Sequence, residues 1–439
     1  MKKGFFFIAV EEDGLSKAIA CELESSGAKT KLMSLDQFIK TEDLSDISGL
    51  FIIPGGDSNN DVYLKKTFIA AKHAASSLIS SGKTGKTVFA ALTRMDGAFG
   101  FKKKKIENPF HGGLAGLVKT AASEWGNVIC RVIDIDPEWR DNDNIAKAVS
   151  AEIISAGNND SVETGLSSGK RSILTLTPSF YPEGRIALSP GDAVVVTGGA
   201  RGITASAISA LSEQVNPALL LLGRSPEPSD EPSWLAHLEG ESEIKKAIHT
   251  FEYGGNHASP KEIEKAFKRY MAGREIRRNL EKLKKICRSV VYRSVDVCDT
   301  KAVTGIIDEF RSEHRDIKAV IHGAGVLEDR LIMDKTYEQF EKVFDTKVKG
   351  LNSLLTATAG DSLKYIVIFS SVTARIGNKG QVDYAMANEV LNKTAALESF
   401  TRPDCRVISI NWGPWDGGMI TGAIKREFNK NKIELIPVD

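Results

Sequence analysis

The chain has 439 residues, a formal charge of +1, and 26% charged against 42% hydrophobic residues. That length suffices for two or three cores, and the near-neutral balance supplies no global field to gather nucleic acid or an anionic membrane. Five scattered cysteines without a CxxC pair, and seven histidines without metal-ligand spacing, exclude a disulfide framework and a zinc site and fit a reduced, cytoplasmic protein.

The start, "MKKGFFFIAVEEDG", joins a basic pair to an apolar run that is too short for a signal sequence and meets acids at once. Residues 5–10 are therefore predicted to form a buried strand. Further strands are predicted over 49–54, 87–94 and 128–136, with helices between them such as "LKKTFIAAKHAASSLIS". No run approaches the roughly 18 apolar residues of a membrane span. The segment "TPSFYPEGRIALSPGD", rich in Pro, Gly and Ser, marks a crossover. Alternation then restarts with strands over 193–199, 218–225, 289–297, 317–325, 364–371 and 405–413. Such alternation predicts an α/β protein of two Rossmann-like, doubly wound parallel-sheet units, residues 1–185 and 186–439.

An insertion interrupts the later half from about 226 to 288, ending in the basic, helical "KEIEKAFKRYMAGREIRRNLEKLKKICR". One reading is a solvated helix pair capping the sheet edge. The other is a docking face for an acidic partner through Arg277, Arg278, Lys284 and Lys285.

"VVVTGGARGIT" sets an apolar strand against Thr197, Gly198, Gly199, Arg201, Gly202 and Ile203, with helical residues following. A turn without Cβ atoms brings backbone amides and a helix N-terminus to face a pyrophosphate. The next strand ends in Arg224-Ser225, where an acid would bind the ribose hydroxyls of NAD; an arginine fork suits a 2′-phosphate instead, so the expected cofactor is NADPH. Asp296 and Val297 would border the adenine, and the small residues of "HGAG", including Ala324 and Gly325, would admit a close dinucleotide. In the first half, "EED" stands where phosphates would have to sit, so that unit is expected to be structural and without cofactor.

Together "TGGARGI", "GRS", "DV", "HGAGVLED", "KVKG", "SS…DYAMAN" and "NWGPWDGGM" resemble the ketoreductase domain of polyketide synthases, within the short-chain dehydrogenase/reductase superfamily. The insertion, "ALSPGDAVVVTGGARGIT" and "NWGPWDGGM" look most like the ketoreductase of polyunsaturated fatty acid synthases, and "FHGGLAGLVKTAASEWGN" is similar to the structural subdomain that precedes such reductases. The resemblance implies that Tyr384 donates the proton and that Ser371, thirteen residues earlier, anchors the carbonyl oxygen. It implies Lys347 as the supporting cation, with Lys349 on another helix face, and Asn388 in place of the lysine usual elsewhere in the superfamily. Lys347 and the positive nicotinamide of the oxidised cofactor are both expected to lower the Tyr384 pKa.

Further implications are a 3-ketoacyl thioester substrate tethered to the phosphopantetheine of an acyl carrier protein, neighbouring synthase domains, and no nucleic acid or membrane partner. Leu327-Glu328-Asp329 resembles the Leu-Asp-Asp motif of reductases giving (3R)-hydroxyacyl products, and Ile376 replaces the tryptophan of the opposite class. Two departures accompany the match: Thr204 stands at the third fingerprint glycine, and the chain stops at "IELIPVD", where such reductases continue, so a truncated C-terminus is expected. Two other readings stay open, a non-catalytic NADP-binding or architectural module of a multienzyme and a free-standing short-chain dehydrogenase.

Overall fold

The computed structural model describes residues 4–10, 14–55, 58–102, 104–157, 160–180, 184, 186–416 and 434–437. The acids at 11–13 and the glycines at 417 and 418 therefore lie outside the described residues.

The earlier part of the chain runs β1 (Phe5–Val10), α1 (Gly14–Ser25), β2 (Lys29–Met33), α2 (Leu35–Ile39), β3 (Ile47–Ile53), α3 (Asp61–Gly82), β4 (Val88–Thr93), α4 (His111–Glu124), β5 (Ile129–Ile135), α5 (Asn142–Ser155), β6 (Glu163–Ser167) and β7 (Lys170–Ser172). Among the described residues its sheet has the order β2-β1-β3-β4-β5-β6-β7, parallel except for the β6–β7 pair. β3, β4 and β5 are buried along their whole length, as a parallel sheet covered on both faces requires. β2, "KTKLM", is an exposed edge whose Lys31 ammonium lies 4.1 Å from the centre of the Phe5 ring. Lysines on an edge strand discourage pairing with other chains, and the same lysines hide this strand from a hydrophobic pattern.

The later part runs β8 (Ala193–Thr197), α6 (Gly202–Val215), β9 (Ala218–Gly223), α7 (Glu241–Phe251), α8 (Pro260–Ile286), β10 (Ser289–Ser294), α9 (Thr300–His314), β11 (Ile317–His322), α10 (Tyr337–Ala357), β12 (Tyr365–Ser371), α11 (Val372–Ile376), α12 (Val382–Thr401) and β13 (Arg406–Trp412). The second sheet has the order β10-β9-β8-β11-β12-β13. Strand order reverses direction between β8 and β11, the point at which such sheets bind nucleotides. The insertion is α7 and α8, with a small core of Leu235, Ile244, Ile248 and Ala266 flanked by Trp234 and Tyr270. No helix among the described residues is long and apolar enough to cross a membrane.

Two compact units result, and the linear division at 185 is not the spatial one. The first gathers Met1–Gly184, Gly325–Lys349 and Ile366–Gly413; the second gathers Arg185–Ala324, Gly350–Tyr365 and Pro414–Asp439. The physical cause is one apolar core in the first unit, in which Phe340, Phe344, Val382, Met386 and Val390 join Phe68, Leu114 and Val118. Phe68 stacks on Phe340 with ring centres 4.3 Å apart. On α4, a Cβ at Gly116 would stand 2.7 Å from the Ala385 carbonyl carbon, so only glycine admits α12 at that distance.

Candidate active site

Within the first unit, β12 ends at Ser371, whose backbone is extended and whose Oγ accepts the Thr373 N–H at 3.2 Å to cap α11. α12 starts at Val382 and so carries Tyr384 in its first turn and Asn388 one turn on. Asn388 Nδ2 donates to the Tyr384 carbonyl at 2.9 Å. Lys347, on α10, donates to the Phe369 carbonyl at 2.9 Å, and its ammonium is 5.2 Å from the centre of the Tyr384 ring. Lys349 turns elsewhere, pairing with Asp345 at 2.9 Å. The fold thus brings Ser371, Tyr384, Lys347 and Asn388 together. Asn388 Oδ1 is a buried acceptor with no partner among the described residues.

Burial raises the Tyr384 pKa above its usual value, although hydrogen bonds from Asn388 and Ser371 pull the other way. The sequence expectation of a lowered pKa thus does not describe the free protein. The physical reason is shared dehydration: burial also lowers Lys347 to about 7, so the cation that should favour phenolate is itself only partly charged near neutrality.

Other groups at this site are not visible in the sequence. Lys335 and Asp383 form a fully buried ion pair at 2.7 Å, and Lys335 Nζ also donates to the Glu328 carbonyl. Asp383 accepts the Tyr384 N–H at 2.9 Å; burial, countered by Lys335, pushes its carboxyl up to about 6. The Asp329 carboxylate accepts from Gln381 Nε2 at 3.2 Å. Leu327-Glu328-Asp329 is thereby tied to the start of the tyrosine helix. Deeper on α12, Glu389 is fully buried against Lys119 at 2.6 Å, Lys393 at 3.5 Å and Arg375, while Glu163 pairs with Lys119 at 2.9 Å and Arg375 at 3.0 Å. Burial would raise the Glu389 pKa, yet Lys119, Lys393 and Arg375 hold it well below the usual carboxylate range. No local spacing announces pairs such as 119 with 389.

The glycine turn belongs to the second unit. Gly198 has φ +74°, and a Cβ there would approach the Ala324 nitrogen to 3.0 Å; one at Gly199 would strike Val196 Cγ1 at 2.7 Å. Thr197 Oγ1 accepts the Ala324 N–H at 3.2 Å and pairs with His322 Nδ1 at 2.9 Å, fixing the ends of β8 and β11. Thr204, at the third fingerprint position, lies where a Cβ on Gly323 would come within 2.5 Å of it. The close approach usually granted by a helix glycine is granted here by a glycine after β11. Arg201 is the N-cap of α6 but makes no side-chain capping bond, and no acid lies in that helix's first turn. Ile203 follows in that turn.

Arg224 is exposed just beyond β9, and the Ser225 carbonyl accepts the Tyr292 hydroxyl at 2.6 Å. Asp296 accepts the Cys298 N–H at 3.0 Å, and Val297 is buried. Gly325 falls in the first unit. A glycine-rich turn leading into a helix start that its own N-cap side chain does not cap fits the pyrophosphate of a dinucleotide.

A family model described as the KR domain matches residues 193–417, about half of the chain. The chain belongs to the KR domain family. A curated relative from Thraustochytrium sp., one of the subunits of a polyunsaturated fatty acid synthase, is 33% identical over 386 residues, 84% of this chain and 14% of its own. The polyketide synthase PksN of Bacillus subtilis is 29% identical over 317 residues, 70% of this chain and 5% of its own. This KR-domain chain therefore spans a small part of the relatives it matches. Among solved structures, a ketoreductase domain from the bacillaene assembly line is 21% identical with TM-score 0.65, covering all of this chain and 88% of that one. An A1-type ketoreductase is 19% identical with TM-score 0.71, covering all of this chain and 84% of that one. These likenesses extend the KR-domain fold to the N-terminal unit without a cofactor fingerprint.

Proposed function

We propose that this KR domain reduces a 3-ketoacyl thioester, tethered to an acyl carrier protein, to the (3R)-hydroxyacyl thioester with NADPH. The carrying observation is the convergence of Tyr384 and Asn388, one turn apart on α12, with Ser371 at the end of β12 and the buried Lys347 ammonium 5.2 Å from the Tyr384 ring centre. When bound, NADPH supplies the hydride. Ser371 and Tyr384 are the hydroxyl donors for the ketone oxygen as charge develops on it. A phenol whose pKa is raised by burial keeps its proton at rest and releases it only to a stronger base such as an alkoxide. Lys347, titrating near neutrality, can then supply a replacement proton, and the open acceptor Asn388 Oδ1 can order a water for that relay.

Arg224 supports NADPH over NADH, since no acid stands at the end of β9. Leu327-Glu328-Asp329 and Ile376 support the (3R) outcome. Carrier tethering and neighbouring synthase domains are supported by the multienzyme names of the relatives. Of the basic residues considered for carrier docking, Arg278, Lys284 and Lys285 are exposed, while the half-buried Arg277 donates to the Ser229 carbonyl. The decisive experiment is Tyr384→Phe with NADPH oxidation followed on a 3-ketoacyl thioester. Turnover should fall by roughly 100-fold or more with NADPH binding intact, and the wild-type product should be (3R) by chiral analysis. Undiminished turnover overturns the acid role, and a (3S) product overturns the stereochemical assignment.

A further inference from the structure

Resting on that cofactor reading, we infer that Glu275, on the insertion helix α8, is an anionic latch on the dinucleotide cradle. It holds the groups a pyrophosphate needs, and it must release them when the cofactor binds.

The turn between β8 and α6 is gripped at three successive residues by two side chains one helical turn apart on α8. Glu275 Oε1 accepts the Gly202 N–H at 2.7 Å, and its Oε2 accepts from Arg201 Nε at 3.1 Å. Asn279 Nδ2 donates to the Ala200 carbonyl at 3.0 Å. α8 is positioned for this by its own sequence. A capping box of Ser259 and Glu262 starts it, and Ile276, Leu280 and Leu283 form its buried side.

Gly202 is the first residue of α6, and its N–H is one of the donors without an intrahelical partner at the positive end of the helix. It has φ +58°, and the space where a Cβ would stand is empty to 4 Å. This is the place at which dinucleotide folds seat a pyrophosphate. A carboxylate already there competes twice, by occupying an amide and an arginine and by repelling a second anion. The latch can open: Glu275 and Arg201 side chains are 31% and 48% exposed, so water can take over their hydrogen bonds. A hollow of about 280 Å³ beside Asn279, lined by Ser206, Ser209, Glu213 and Lys282, is open to solvent, with the exposed Lys282–Glu213 pair at 3.4 Å across it. The insertion thereby senses cofactor occupancy.

The test is NADPH binding to the full chain, measured by calorimetry for wild type, Glu275→Gln and Asn279→Ala, with thermal melts confirming folding. Glu275→Gln keeps the shape and removes the charge, so its Kd should be about two- to fivefold lower than wild type, and the gain should shrink as salt is added. Asn279→Ala leaves the carboxylate in place and should not tighten binding. In hydrogen exchange, NADPH should reduce protection along α8 of the wild type. Unchanged or weaker NADPH binding by folded Glu275→Gln, with wild type binding normally, overturns the latch alone. Absence of NADPH binding by both chains overturns the cofactor reading, and the latch with it.

Discussion

Replacing Lys347 by methionine tests the active-site electrostatics through stability as well as through turnover. Lys347 titrates at about 7 in the folded chain instead of 10.5, a displacement worth about 5 kcal/mol. Between those two values the unfolded chain binds the proton and the folded chain does not, so stability rises with pH across this window. The burial cost is fully present below neutrality and vanishes toward the unfolded pKa. Methionine abolishes the titration but leaves the Phe369 carbonyl without this donor, a pH-independent loss of about 1–3 kcal/mol. Near neutrality the variant should therefore be more stable by roughly 2–4 kcal/mol, the difference between the burial cost and the lost bond. That advantage should decline by about 1.4 kcal/mol per pH unit as alkali is added. Urea unfolding of both chains at a series of pH values measures it, and ketone reduction by the variant should collapse. A stability difference that stays constant with pH would refute the titration of Lys347 in this window.

Two further outcomes follow from named groups. Arg224→Ala should raise KM for NADPH by roughly 10- to 100-fold while leaving KM for NADH unchanged, as steady-state kinetics with both cofactors will show; parallel losses would point to a structural role. Glu389→Gln should destabilise the first unit by about 3–5 kcal/mol, because Lys393 loses its carboxylate and Glu163 alone is left to balance the buried Lys119 and Arg375. Denaturant midpoints measure this. Since Glu389 is held well below its unfolded value of 4.5, its stabilisation is present above that pH and is lost only as the pH falls into strong acid.

What is readable in the sequence is short-range. The glycine turn, Ser371 at a strand end, and Tyr384 with Asn388 one turn apart are set by local backbone geometry, so spacing displays them. Lys347 is reached only through the family resemblance, because a residue buried against the Tyr384 ring leaves no local trace that distinguishes it from Lys349. β2 escapes notice because an edge strand of "KTKLM" has no apolar face to show, and β6 because its Glu163 is buried by partners far along the chain. Lys335 with Asp383, and Glu275 on Gly202, join residues that only the fold makes neighbours. The pKa direction at Tyr384 goes against expectation for a related reason: proximity of a lysine can be inferred from a motif, but shared loss of water cannot.

The glycine-faced contact between α4 and α12 bears on how the polypeptide is made. While the ribosome is still adding residues short of 382, α4 presents an uncovered groove, and the earliest sheet lacks the helix that closes it. An excised N-terminal half would carry that apolar trough into solvent and be prone to clump. The two halves of the gene are therefore poor places to cut, and exchange between relatives should succeed only when the stretch encoding α4 travels with the stretch encoding α12.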